Sequence, residues 1–154
     1  MNWGELKTKI RDLGFEEDST MNEYESIVRN AANRAINLVF HELVLGCKQY
    51  FAALYATKKK VVDEFGDVTY ETIRWTPPSE IDYITEDTED TEDIELPDRV
   101  IEIVPILASH YVWLDDDQVK ATMYWNEYDD FRTRLFEEAQ ARNYNCEFYG
   151  GLWF

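Results

Sequence analysis

The chain has 154 residues, 45% hydrophobic and 15% aromatic, which suits a single globular domain. Its net charge is −17: residues 1–60 carry nine Lys/Arg against eight Asp/Glu, about +1, and residues 61–154 carry six against twenty-four, −18. This balance argues against phosphate binding through the second part, which would need cationic contacts, and no apolar run approaches the roughly 18 residues that span a bilayer.

The first residues, MNWGELKTKIRDLGF, are amphipathic without an apolar signal core, so secretion is not expected. Trp3, Leu6, Ile10 and Leu13 recur at helical spacing and predict a helix near residues 2–13, with Gly14 as its stop. Phe15 opens a short acidic linker. Thr20 and Glu23 then form a capping-box pattern for a second helix over residues 20–45. Its broad apolar face is Tyr24, Ile27, Val28, Ala31, Ala35, Leu38 and Val39, and the alanines permit a close neighbour. Gly46 breaks or loosens this helix. Residues 46–58 are readable as helix or as strand, since Tyr and Phe also favour strands.

From about residue 60 to 75 the Val, Phe, Tyr, Thr and Ile around Phe65-Gly66-Asp67 read as a hairpin, ended by Pro77-Pro78. Residues 80–98 then hold ten acidic groups and no basic one, including Thr-Glu-Asp three times from Thr85 to Asp93. Carboxylates this dense repel one another, which predicts a flexible, solvated loop. The spacing and turn glycine of an EF-hand are missing, so calcium binding is not expected.

Pro97 opens a third helix over residues 97–114, apolar on most faces and therefore expected to be buried by its own chain or by a neighbour. Pro105 should kink it. Asp115 is the expected N-cap of a fourth helix over residues 116–142, with Asp116 and Asp117 in its first turn. Its packing face reads as Val119, Met123, Tyr124, Tyr128, Phe131 and Leu135. The aromatic tail, residues 143–154, carries a double glycine and should dock, because a free tail of this kind would aggregate. The expected fold is thus mainly α: one small bundle of about four helices spanning residues 1–154, with a hairpin-like insertion over about 60–95, an acidic loop and an extended C-terminal tail.

The chemistry of catalysis is missing from the motifs. There is no dinucleotide fingerprint, phosphate loop, nucleophile elbow or zincin motif. His41 and His110 lie in apolar helical segments and read as structural histidines. Asp115, Asp116 and Asp117 read as helix starters rather than a cation site. No metal and no cofactor is expected, and the chain does not read as an enzyme. Cys47 and Cys146 are expected to be two thiols in a reducing compartment, a bridge between them being the alternative.

Three stretches carry a resemblance: MNWGELKTKIRDLGFEEDS, YESIVRNAANRAINLV and, above all, LPDRVIEIVPILASHYVWLDDDQVKATMYWNEYDDFRTRL. Their order resembles the head–tail connector (adaptor, or head-completion) proteins of long-tailed bacteriophages. The likeness covers about half of the chain and is poor over residues 46–95; neither the Thr-Glu-Asp repeat nor the Trp153-Phe154 ending maps onto that family. It implies a ring, typically of twelve copies, beneath the portal protein at the head–tail neck of the virion, with the host cytoplasm as the location before assembly. Such a ring extends the channel for double-stranded DNA without reading its sequence, and it offers a platform to the next neck or tail-completion protein.

On that reading, Tyr24, Ile27, Trp113, Tyr124, Trp125 and Tyr128 are candidate subunit contacts. Tyr144, Phe148, Tyr149, Leu152, Trp153 and Phe154 are candidates for reaching a neighbour or the portal. Glu86, Asp87, Glu89, Asp90, Glu92 and Asp93 are candidates for a lumen-facing loop that keeps DNA from sticking. The competing reading is an acidic DNA mimic that inhibits a DNA-binding host protein.

Overall fold

The computed structural model describes residues 1–14 and 24–146. The chain is mainly α, with one two-stranded antiparallel hairpin. Helix α1 spans Trp3–Gly14 and buries Trp3, Leu6 and Ile10. A reciprocal capping box starts it: the Glu5 amide donates to Asn2 Oδ1 at 2.8 Å, and the Asn2 amide donates to Glu5 Oε2 at 2.9 Å. The expected Thr20–Glu23 box and the Phe15 linker lie outside the described residues.

Helix α2 spans Glu25–Leu38 and buries Val28, Ala31, Ala32, Ala35 and Ile36. The turn then widens into a π-helical segment, Val39–Val44. The expected helix to Leu45 thus runs on to Val44 with its last six residues π-helical, and a short helix α3, Lys48–Leu54, follows a break at Leu45–Cys47. The undecided segment 46–58 is helix first and strand from Thr57.

Strands β1, Thr57–Val62, and β2, Val68–Ile73, pair with Thr57 opposite Ile73 and Val62 opposite Val68. Asp63 shapes the turn by accepting from the amides of Phe65 and Asp67 at 2.9 and 2.8 Å, and Gly66 takes the left-handed conformation at φ 79°. The hairpin starts a little before the expected position, and all of it except Val61 is exposed.

The third expected helix is two pieces, α4 (Asp98–Ile101) and α5 (Val104–Trp113). Pro105 does not kink a continuous helix. It sits in the first turn of α5, where its missing N–H leaves no bond unmade. Helix α5 is central, packed against α1, α2 and the long last helix α6, Gln118–Ala141. Its apolar circumference is thus covered by its own chain, so its apolarity does not call for a neighbouring subunit. Helix α6 is capped by Asp117, whose carboxylate accepts from the Lys120 amide at 3.0 Å; the expected cap, Asp115, lies two residues outside. Its buried face is Ala121, Tyr124, Tyr128, Leu135 and Ala139, whereas Val119 and Met123, expected inside, are exposed. The helix ends in a left-handed Asn143 (φ 64°), with the Tyr144 amide returning to the Ala139 carbonyl at 2.9 Å.

Cys47 and Cys146 are bonded to each other, with Cα atoms 4.4 Å apart. The expectation of two separate thiols is corrected: the start of α3 and the chain beyond α6 meet in space, although 99 residues separate them.

Candidate functional site

The acidic stretch is not a free loop. Ile81, Ile84 and Leu96 are buried in the core, and Ile94 packs against it. Asn33 on α2 holds this segment like a clamp, its amide nitrogen donating to the Ile84 carbonyl at 2.9 Å and its oxygen accepting from the Ile84 amide at 2.8 Å. Further along, backbone carbonyls of Glu92 and Asp90 accept from the amides of Trp3 and Gly4 at 3.0 and 2.9 Å. These are orphan donors at the start of α1, so the acidic strap caps that helix. A Cβ at Gly4 would lie 3.1 Å from Asp90 Cβ and its carbonyl oxygen, which explains glycine there.

Ion pairs add to the clamp: Lys7 Nζ lies 2.6 Å from Asp90, and Arg29 lies 3.5 Å from Glu86. The expected flexible, solvated loop is therefore an anchored strap. The reason is that isoleucines interleave with the acids, and the backbone makes the contacts while the carboxylates stay in water. Glu86, Asp87, Glu89, Asp90, Glu92 and Asp93 are all exposed along this strap.

The aromatic candidates separate into groups. Tyr24 and Ile27 are exposed at the start of α2, 42% and 44%. Tyr124 and Tyr128 are interior to this one chain. The Tyr124 hydroxyl donates to the Leu13 carbonyl, and the Trp113 ring lies against Gly14 under the Lys120 ammonium at 4.2 Å, so both aromatics pin the end of α1. Trp125 is half-buried between His110 and Tyr128, with ring centres 5.2 and 5.4 Å away. Tyr144 is half-buried against Tyr50 at 6.0 Å. Phe148, Tyr149, Leu152, Trp153 and Phe154 lie outside the described residues.

Inside the bundle, Arg132 on α6 donates to Glu42 of the π segment and to Asp129. Tyr128 sits beside this pair with its hydroxyl buried and without a hydrogen-bond partner among the described residues; burial first, and then the Glu42 charge, push its pKa up. His110 Nδ1 lies 2.8 Å from the Ala121 carbonyl, a structural bond joining α5 to α6. His41 is exposed, edge-on to Phe40. Among the described residues there is no group of three or more His, Cys, Asp or Glu that could hold a metal ion. No helix there is long and apolar enough to cross a membrane.

The exposed apolar surface that the sequence reading missed is the hairpin. Val62, Phe65, Val68, Tyr70 and Ile73 are exposed by 56, 87, 47, 66 and 48%. A second, smaller patch, Leu114, Val119 and Met123, surrounds the start of α6. The alternation of apolar and polar residues in VTYETI was the available signal for the hairpin. That alternation marks a strand without saying what covers it, and the fold shows that neither face is covered. What this molecule offers is contact surface: an apolar arm, and a carboxylate strap on the helical body. Comparison with family models, with curated proteins and with solved structures finds no match.

Proposed function

We propose that this chain is a structural protein of a bacteriophage neck: a subunit of a ring beneath the portal that extends the DNA channel and seats the next neck or tail component. In this role it acts in the virion, after a period in the host cytoplasm, and it does no chemistry. The observation that carries the reading is the hairpin, an arm with five large exposed apolar side chains on a small helical body. A soluble subunit gains nothing from such an arm unless a partner covers it. The likeness of the helical stretches to head–tail connectors supplies the kind of partner. Tyr24, Ile27 and the exposed patch at the start of α6 are the subunit-contact candidates that remain accessible; Tyr124 and Tyr128 act through the subunit's own core.

The row of exposed carboxylates favours a second reading, the acidic DNA mimic. Co-expression with the portal protein of the same genome, followed by electron microscopy, separates the two. The neck reading expects a ring seated on the portal. A chain that stays off the portal and instead binds a DNA-processing enzyme of the host overturns it.

A further inference from the structure

We propose that the hairpin docks on a second copy of this chain, its lysine-bearing face seated on the acidic strap beside Trp3. The pleat divides the hairpin into two unlike faces, because successive side chains alternate sides. The register places Lys58, Lys60 and Val62 on one face with Val68, Tyr70 and Thr72. That face holds two cations, three large apolar side chains and no carboxylate. On the other face Lys59 is opposite Glu71, so the charges cancel. None of the three lysines makes an ion pair among the described residues.

The matching surface is on the body of the same chain. A concavity of about 250 Å³ has the nearly covered Trp3 and Ile36 at its floor, the half-buried Ile94 and the exposed Tyr83 at its side, and Asp82, Asp93 and Glu95 at its rim. The three rim carboxylates also have no ion-pair partner among the described residues. The accessible Tyr83 ring and the edge of Ile94 beside an acidic rim suit lysine, whose aliphatic stem packs while its ammonium reaches the rim. Within one chain the two surfaces do not cover each other: Tyr70 is 66% exposed and Tyr83, at the concavity, is 63% exposed. Strands of six residues reach about 20 Å at roughly 3.3 Å per residue, enough to cross to a neighbour. A contact between two different patches of one chain is head-to-tail, and it closes into a ring where the rotation allows. The inference stands on exposure and charge alone and does not need the neck reading.

The full-length chain with Tyr70→p-benzoylphenylalanine, irradiated at low salt, tests the contact directly. A covalent dimer is expected, with adducts mapping to residues 82–95 and fading as salt screens the charges. Sedimentation gives the independent test. Lys58→Glu/Lys60→Glu chains should self-associate about tenfold more weakly or worse, and so should Asp82→Lys/Asp93→Lys/Glu95→Lys chains. Mixing the two should restore association, with circular dichroism confirming that both variants are folded. Absence of any intermolecular adduct, adducts confined to other surfaces, or undiminished association of the hairpin variant overturns the proposal. If the rim variant does not fold, the cross-link and the hairpin variant still decide. A Lys58→Glu/Lys60→Glu chain that enters portal-bearing particles normally defeats this docking and leaves the neck reading in place. A self-associating wild-type chain that never enters them does the reverse.

Discussion

Arg132 ties the bundle together through one guanidinium. It comes from α6, and its carboxylate partner Glu42 comes from the π segment, where the widened turn sets a charged residue among Val39, Phe40 and Leu43. Both side chains of the pair are largely buried, 15% and 11% exposed. Removing one member leaves the other as an uncompensated interior charge, so Arg132→Ala should cost about 3–5 kcal/mol in denaturant unfolding. Replacing both by apolar residues should cost much less, and a double-mutant cycle measures the difference. Glu138 gives a pH signature. Burial opposes its ionisation, but the neighbouring Tyr50 hydroxyl and the Arg99 guanidinium, the latter bonded at 3.1 Å, outweigh burial and hold its pKa below the ordinary 4.5. A depressed folded pKa means that the bridge stabilises fully above the ordinary carboxylate range and that its contribution fades as pH falls below it. Acid unfolding curves of the wild type and of Glu138→Gln should therefore converge below that range and separate above it; parallel curves throughout would contradict the assignment.

Among the elements, the hairpin forms as expected, whereas the strap inverts the expectation. The hairpin is a well-formed two-stranded ribbon whose side chains lie almost wholly outside the core. Replacing residues 58–72 by a short Gly-Ser loop should leave helix content unchanged and the melting temperature within a few degrees. A large loss of stability would show that the hairpin is structural rather than an arm. The strap, by contrast, looks soluble in sequence and is structural in the fold. Its acids conceal a sparse set of apolar plugs, Ile81, Ile84, Ile94 and Leu96, too widely spaced to register as periodicity. The caps show the same division. Asn2 and Glu5 could be read locally, whereas the choice of Asp117 over Asp115 depended on where α5 ends and the chain turns.

At the scale of the molecule, the Cys47–Cys146 bond closes about two thirds of the chain into a loop, joining the start of α3 to the segment after α6. A loop of about 100 residues gives about 4.7 kcal/mol of stabilisation in the chain-entropy model. Cys146→Ser, or a reductant in the buffer, should thus lower the denaturant midpoint substantially, and the two treatments together should do no more than either alone. The helical class, the hairpin and the four helical regions were all legible in the sequence, because periodicity, turn residues and proline act over a few positions. So was the charge division between the two parts. Only the tertiary structure decided that α5 is wrapped by its own chain, that Tyr124 and Tyr128 are core, that the cysteines meet, and that the hairpin's apolar residues face solvent. Each of these depends on which surfaces meet across long stretches of chain, and side-chain pattern alone states only that a surface is apolar, never what covers it.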